Sequence, residues 1–399
     1  MMQGVPPTIA ITGMGAVSAL GKDVAAQLEA LKAGRSAIAS LRIQDLGFPD
    51  LVFGEVPATD VELKASVKWT AENDNPSRTV LLALLAAQEA VASSGLKSTK
   101  GITLISASTV GGMDRTERAY RYRTSDLPQL AKAARGHEVS DHARHLAQRL
   151  GASQAATIST ACSSSANAIM LGAQLLKTGR ANVVLAGGAD ALCGFTIAGF
   201  RALSAMDVKA CRPFSADRAG MNLGEGAAYL VLERLDDVKA TGRKPLAIVA
   251  GYANANDAFH QTATSPEGIG PQKAMEGALR VAGLSAARID HVNAHGTATE
   301  NNDLTELIAM ERLFGKVPPF TSTKSLTGHT LAAAGALEAV FSVLSMQHGF
   351  VPATARAGAM IEGCRSVPVK TATQMPVRTV LSNSFGFGGN GTSLLFSAV

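Results

Sequence analysis

Two stretches of this 399-residue chain repeat one order of parts, and that repetition predicts an α/β fold made of two similar halves. In the first, residues 157–161 read as a strand end. Cys162 and three serines follow, and apolar positions then recur at helical spacing until Lys177, Thr178 and the stopping Gly179. In the second, 321–323 is again a Ser/Thr-rich strand end, followed by Lys324, His329 and a helix of alanine and glycine reaching Ala339. Each stretch leads on to an apolar strand that runs into glycines, 182–190 in one case and 380–389 in the other. Segment 239–245 has linker composition and is the seam, dividing the chain into halves 1–240 and 241–399. Helices so rich in small residues let backbones approach closely, so both are expected between sheets, away from the surface.

The remaining elements fit this plan in order. Residues 8–12 read as a buried strand entering Gly13-Met14-Gly15, and 23–33 as a helix ended by Gly34. The glycine pair is not a dinucleotide fingerprint, because Ser18 stands where the third glycine of G-x-G-x-x-G belongs. Residues 35–76, broken by Pro49, Pro57 and Pro76, read as a surface excursion, and 77–94 as an amphipathic helix ended by Gly95. A buried strand at 101–108 opens into 109–113. The polar segment 114–145, with Arg115, Arg118, Arg121, Arg123, Lys132 and Arg135, reads as a solvated face. A loop spans 212–226, and a strand follows at 227–233. The second half supplies a strand at 246–250, a helix at 271–282, a strand at 289–294 that delivers His295, and a helix at 303–313.

Composition narrows the function. A hydrophobic content of 46% supplies ample core, and the four cysteines show no paired spacing, which excludes a disulfide framework and a zinc knuckle and fits a reducing, cytoplasmic setting. The first residues lack the basic and apolar regions of a signal peptide, and no apolar run approaches the ~20 residues that span a bilayer, so export and membrane insertion are not expected. A net charge of +5, without lysine or arginine blocks interleaved with aromatics, argues against nucleic acid and leaves an acidic protein or ligand compatible.

Cys162 lies where a strand turns into a helix. Such a place presents a thiol on a sharp turn, favours thiolate through the positive helix end, and offers backbone N–H groups to an oxyanion. A free cysteine taken alone is more often a core residue, as is a lone histidine. Here, however, His295 and His329 both sit in Gly/Thr-rich turns after strands. Two facing halves would bring Cys162, His295, His329 and the Phe387 turn to one central pocket. His137, His142, His145, His260, His291 and His348 have no such setting and read as structural or exposed. His142 and His145 share a helix face but lack an acidic partner at metal spacing, so no metal site is assigned.

Five motifs in series resemble the elongating β-ketoacyl-[acyl-carrier-protein] synthases of the thiolase superfamily, the type II ketosynthases. They are T-A-C-S-S-S (160–165), P-F-S-A-D-R-A-G with G-E-G-A (213–227), N-A-H-G-T-A-T (293–299), K-S-L-T-G-H-T-L-A-A-A-G-A-L-E (324–338) and S-N-S-F-G-F-G-G (382–389). The resemblance implies a thiolase-like five-layer αβαβα fold with two pseudo-repeated halves. It implies a homodimer, or a heterodimer with a related ketosynthase-like subunit. It also implies an acyltransferase reaction: an acyl group passes from acyl carrier protein to Cys162, and malonyl carrier thioester then condenses with it by decarboxylation. No cofactor is expected on the enzyme, because the substrates ride on the phosphopantetheine of acyl carrier protein.

Under the same resemblance, His295 and His329 donate N–H to the enolate, and the N–H groups of Cys162 and Phe387 form the oxyanion hole. Lys324 organises the site and pairs with Glu338. Thr297 and Thr299 contact pantetheine, and Phe387, Val110 and Phe200 gate or line the acyl pocket. Arg78, Lys209 and Arg212 are the basic candidates for the carrier protein, with Arg121 or Arg123 in support. Departures from the family pattern are Ala219 in place of aspartate, Asn390-Gly391 in place of threonine-asparagine, and Met206 where arginine is frequent; they suggest a specialised branch making polyene, aromatic-headed or polyketide chains in place of housekeeping fatty acids. Two other readings are a coenzyme A-dependent initiating synthase or thiolase, and a non-catalytic partner subunit of the chain-length-factor kind. The second histidine in K-S-L-T-G-H disfavours the first, and Cys162 disfavours the second.

Overall fold

The computed structural model describes residues 6–70, 75–121, 131 and 134–399. Ten strands make its main sheet. The first half contributes β1 (Ile9–Ser18), β2 (Thr103–Ala107), β3 (Gln154–Ile158), β4 (Val183–Asp190) and β5 (Gly226–Arg234). The second contributes β6 (Ala247–Asn256), β7 (His291–Asn293), β8 (Phe320–Thr321), β9 (Thr379–Phe385) and β10 (Asn390–Ser397). Their spatial order is β3-β2-β4-β5-β1 in the first half and β8-β7-β9-β10-β6 in the second.

The pairing senses repeat as well. β2 runs parallel to β3 and β4, and β5 antiparallel to β4 and β1. In the same way β7 runs parallel to β8 and β9, and β10 antiparallel to β9 and β6. The two sets meet where Ile9, Ala10 and Ile11 of β1 pair antiparallel with Val249, Ile248 and Ala247 of β6. The duplication read from the sequence is therefore a property of the topology.

The principal helices are α1 (Val24–Lys32), α2 (Arg78–Ser93), α3 (Asp141–Leu150), α4 (Ser164–Lys177), α5 (Gly194–Ala202), α6 (Ile269–Ala282), α7 (Glu300–Phe314) and α8 (Ala334–His348). Asp23 starts α1 by accepting the Ala26 N–H, and Ser77 starts α2 by accepting that of Val80. Alternation along the strands divides the core. Leu230 and Leu232 of β5 and Leu394 and Phe396 of β10 face the central helices α4 and α8, with Ala168, Ile169, Ala336 and Val340. Tyr229 and Val231 face outward to α2 and α3, while Leu381 and Leu395 face outward to α6 and α7. The result is helix, sheet, paired central helices, sheet, helix.

Small residues make these layers close. A Cβ on Gly15 would stand 2.0 Å from the Ala86 carbonyl oxygen of α2, and one on Gly251 in β6 would stand 2.2 Å from that of Ala278 in α6. The G-x-G of the first strand thus serves helix-on-sheet packing, at a place matched in the second half. Every residue of α8 from Ala334 to Ser345 is buried, as its alanine content predicts.

Two expectations need correction. Residues 35–76 are not only a surface excursion, because Phe53, Val56, Ala58 and Leu63 are fully buried and Asp60–Ser66 is a capped helix. The polar segment 114–145 is not only a solvated face either. Asp114, Asp141, His142 and His145 are buried, and His142 joins Ser106 Oγ (2.6 Å), which itself bonds the Tyr229 hydroxyl (2.6 Å). Arg123, Lys132 and the side chain of Arg121 lie outside the described residues. No described helix is long and apolar enough to cross a membrane.

Candidate active site

Cys162 stands on a tight connection between β3 and α4. The strand ends at Ile158, Ala161 takes a left-handed φ of +51°, and Ser163 precedes α4 without a side-chain bond to its first turn. Ser164 Oγ accepts the Thr160 N–H at 2.8 Å and fixes the turn from inside. The Phe387 turn lies directly over it, for a Cβ on Gly386 would come within 3.2 Å of the Cys162 nitrogen. The N–H groups of Phe387 and Cys162 both reach the thiol. Burial pushes that thiol up to about 11, and the nearby Lys324 ammonium only partly opposes the shift. Burial thus works against the thiolate that the helix end favours.

The two imidazoles come from the second half. His295 follows β7 in a turn with Gly296 at φ +42°, and Glu306 of α7 holds this turn by accepting the His295 and Gly296 N–H groups, each at 2.9 Å. Burial pushes Glu306 up to about 7. His329 is held through its own backbone, its N–H donating to Asn222 O and its carbonyl accepting from Gly224. The side-chain network assigns both tautomers. His329 Nδ1 accepts the Leu331 N–H at 3.2 Å, and His295 Nδ1 lies 3.2 Å from the Lys324 ammonium, which has only protons to offer. Each ring therefore carries its own proton on Nε2.

The rings lie 5.4 Å apart and nearly perpendicular, and Cys162 Sγ and one nitrogen of each ring are within 4.8 Å of one another. Burial, with the Lys324 charge added, holds both histidines well below the usual imidazole range. Behind them Lys324 Nζ donates to His295 O at 2.7 Å and pairs with the Glu338 carboxylate; both side chains are sealed from solvent. Burial pushes Glu338 up to about 7 against the pull of Lys324. The spacing of Cys162, His295 and His329 would suit a metal ion, but the tautomers do not. Both ring lone pairs are taken up at Nδ1, and the Nε2 atoms carry protons.

Cys162, His295, His329 and Phe387 line one cavity of about 410 Å³, together with Thr297 and Thr299. A buried thiol, two N–H groups aimed at it and two neutral imidazole donors opposite can form a thioester and stabilise a transient negative charge. Comparison with known proteins identifies the family. Residues 7–238 match the family "Beta-ketoacyl synthase, N-terminal domain", and residues 246–357 match "Beta-ketoacyl synthase, C-terminal domain". This chain belongs to the β-ketoacyl synthase family.

The synthase is 37% identical over 407 aligned positions to Nodulation protein E of Rhizobium meliloti (strain 1021), covering 98% of this chain and 99% of that protein. It is 34% identical over 415 positions to 3-oxoacyl-[acyl-carrier-protein] synthase 2 of Staphylococcus aureus (strain COL), covering 97% of each. Among solved structures it is similar to the ishigamide ketosynthase/chain length factor, with TM-score 0.93 and 30% identity over 99% of this chain and 100% of that one. It is also similar to a chain of the complex between the ketosynthase ApeO and its chain length factor ApeC from Xenorhabdus doucetiae, with TM-score 0.83 and 32% identity over the whole of both chains. The synthase is thus an acyltransferase with the thiolase-like fold.

Of the other residues singled out in the sequence, Thr297 and Thr299 line this cavity, whereas Val110, Phe200, Lys209, Arg212 and Arg78 do not. Thr297 Oγ1 and Thr299 Oγ1 bond one another at 2.9 Å on its wall. Val110 and Phe200 of α5 belong to an apolar cluster with Leu192, Ile197 and Leu331, and the Phe200 ring lies 5.7 Å from that of Phe387. Lys209 is exposed, while Arg212 is tied to Asp207 at 3.0 Å and Asp217 at 3.3 Å. Arg78 must be withdrawn as a carrier-protein contact. Its guanidinium is fully buried and paired with Glu225 (2.7 Å) and Asp60 (2.8 Å), which leaves nothing to offer a partner.

Sequence reasoning missed Glu306 and Asp190. Asp190, at the end of β4, accepts N–H groups from Thr109, Val110 and Ala332, and so ties the Val110 loop to the turn that follows His329. Its one signal in the sequence was position, a carboxylate closing an apolar strand just after Gly187 and Gly188.

Proposed function

We propose that this synthase is an elongating β-ketoacyl-[acyl-carrier-protein] synthase, extending a fatty acid, polyene or polyketide chain by one two-carbon unit. The observation that carries the reading is one buried thiol facing two neutral imidazoles that both present Nε2–H to the same cavity.

In acyl transfer, Cys162 sulfur attacks the carrier thioester, and its proton goes to the departing pantetheine thiol. The N–H groups of Cys162 and Phe387 hold the tetrahedral oxyanion. In condensation, malonyl carrier thioester loses carbon dioxide. The enolate oxygen accepts from His295 and His329, and its carbon attacks the acyl carbonyl on Cys162. The sulfur leaves and takes up one proton, as a thiol pushed up to about 11 requires. Neutral donors suit this step because they stabilise the enolate without an extra labile proton that would quench it. Lys324, held by Glu338, fixes the His295 tautomer.

In this reading Thr297 and Thr299 receive pantetheine, which their position on the cavity wall supports, and Val110 and Phe200 shape the acyl pocket beyond Phe387, which the contact of the Phe200 and Phe387 rings supports. The malonyl and acyl groups arrive on phosphopantetheine, so no resident cofactor is invoked. A carrier-protein complex is supported by one similar structure, a type II polyketide acyl carrier protein with its ketosynthase, 26% identical to this chain. Lys209 and Arg212 are the basic contacts we assign to that partner. Pairing with a second copy or a related ketosynthase-like subunit is supported by β3, an edge strand whose Gln154, Ala155 and Ala156 are exposed. A boundary between the halves at 240/241 and a cytoplasmic location, which the four free cysteines suit, complete the proposal.

Incubation with acyl carrier protein charged with a labelled acyl group, followed by intact-protein mass measurement, tests it. The label is expected on the unaltered chain and absent from Cys162→Ala. Label that persists on Cys162→Ala contradicts the assignment.

A further inference from the structure

Asn390 stands where the family usually carries threonine, and its side chain does something the motif comparison does not foresee. Its Oδ1 accepts three hydrogen bonds: from Ser163 Oγ at 2.8 Å, Asn167 Nδ2 at 3.0 Å and Asn254 Nδ2 at 2.8 Å. Ser163 is the residue after Cys162, and Asn167 lies one turn into α4. The backbone carbonyl of Asn390 meanwhile accepts the Gly386 N–H at 2.9 Å and closes the turn that carries Phe387. One residue thus grips the cysteine turn with its side chain and the Phe387 turn with its main chain. These two turns supply the two N–H groups that reach the Cys162 thiol.

We propose that Asn390 is a positioning residue for acyl transfer, fixing the separation of the Cys162 and Phe387 N–H groups; this rests on the ketosynthase reading above. Its role is selective because only one half-reaction depends wholly on those donors. Release of carbon dioxide from malonyl thioester builds charge at His295 and His329, which Asn390 does not touch. Nor does the fold depend on the tether. Each donor has a second acceptor: Thr160 O for Ser163, Thr160 Oγ1 for Asn167, and Thr392 Oγ1 for Asn254. Loss of Oδ1 therefore leaves Ser163 and Asn254 fully satisfied and strands one of the two Asn167 Nδ2 hydrogens, a local cost confined to the start of α4.

The test uses small thioesters, so that carrier-protein docking plays no part. Acyl transfer is followed as octanoyl gain on Cys162 from octanoyl-N-acetylcysteamine, and decarboxylation as carbon dioxide released from malonyl-N-acetylcysteamine. Removing an oxyanion donor outright costs on the order of a hundredfold to a thousandfold, so displacing one is expected to slow acyl transfer in Asn390→Ala by about ten- to a hundredfold. Carbon dioxide release should stay near that of the unaltered chain, with the melting temperature lowered only slightly by the one stranded Asn167 N–H. Ser163→Ala should show a milder form of the same split, and in the double variant the two losses should not add, because both cut one tether. The proposal is overturned if acyl transfer is unchanged, if both half-reactions and the melting temperature fall together, or if the losses add in full. An unaltered chain that takes up no octanoyl group overturns the functional reading and this role with it.

Discussion

The two halves start as one structural unit and diverge in the connection between their third strand and their central helix. In the first half β3 reaches α4 across residues 159–163, a span just long enough for one strained alanine and one cysteine. In the second half β8 reaches α8 across residues 322–333, which leaves room for Lys324 in a short helical turn and His329 beyond it. Fold symmetry places both connections at the same cavity. Loop length then decides which half presents a thiol and which presents an imidazole. Duplication supplied the pocket, and unequal connections divided its chemistry.

The sharpest way to break this contrast is to remove each side in turn. Cys162→Ala should lose covalent acylation entirely while carbon dioxide release from malonyl thioester survives, as separate mass and gas measurements would show. Lys324→Met acts on the other side. It takes the proton donor from His295 Nδ1 and leaves the Glu338 carboxylate buried without its partner, so decarboxylation should fall by about a hundredfold or more. Breaking a buried ion pair also costs about 3–5 kcal/mol, which chemical denaturation would register.

Acidity separates the halves further. His295 and His329 are held well below 6.5, so carbon dioxide release should stay level as pH falls through that value. A decline centred near 6.5 would mean that an imidazole charges there. The thiol behaves in the opposite sense: alkylation of Cys162 by iodoacetamide should climb about tenfold per pH unit until the thiol titrates at about 11. At the smaller end, Arg78→Ala should lower stability by about 3–5 kcal/mol through the stranded Glu225 yet leave the KM for carrier protein unchanged. The exposed Lys209→Ala should do the reverse, raising that KM a few-fold with stability intact.

The residues to which this account assigns chemistry could be picked out in the sequence. They sit in turns of glycine, serine and threonine that interrupt apolar strands, and such interruptions stand out against the periodicity on either side. Residues that hold those turns were less legible, because their partners are distant in the chain. Arg78 looks like any basic residue at the start of an amphipathic helix until Glu225, 147 positions away, is brought against it. Glu306 reads as an ordinary helix carboxylate, and Asn390 as a departure from a motif. The joining of β1 to β6 leaves no local trace, since edge pairing is decided by tertiary packing. The thiol shows the same limit from the side of energy: its helix is visible in the sequence, but the burial that raises its pKa is not.

The central claim is that imidazoles from one half serve a step that the sulfur of the other does not perform. His329→Ala measured in both half-reactions tests this most directly, by acyl gain on Cys162 and by carbon dioxide release from malonyl thioester. The account predicts acylation near the unaltered rate and decarboxylation reduced by at least about a hundredfold. Equal losses in both, or decarboxylation left intact, would contradict it.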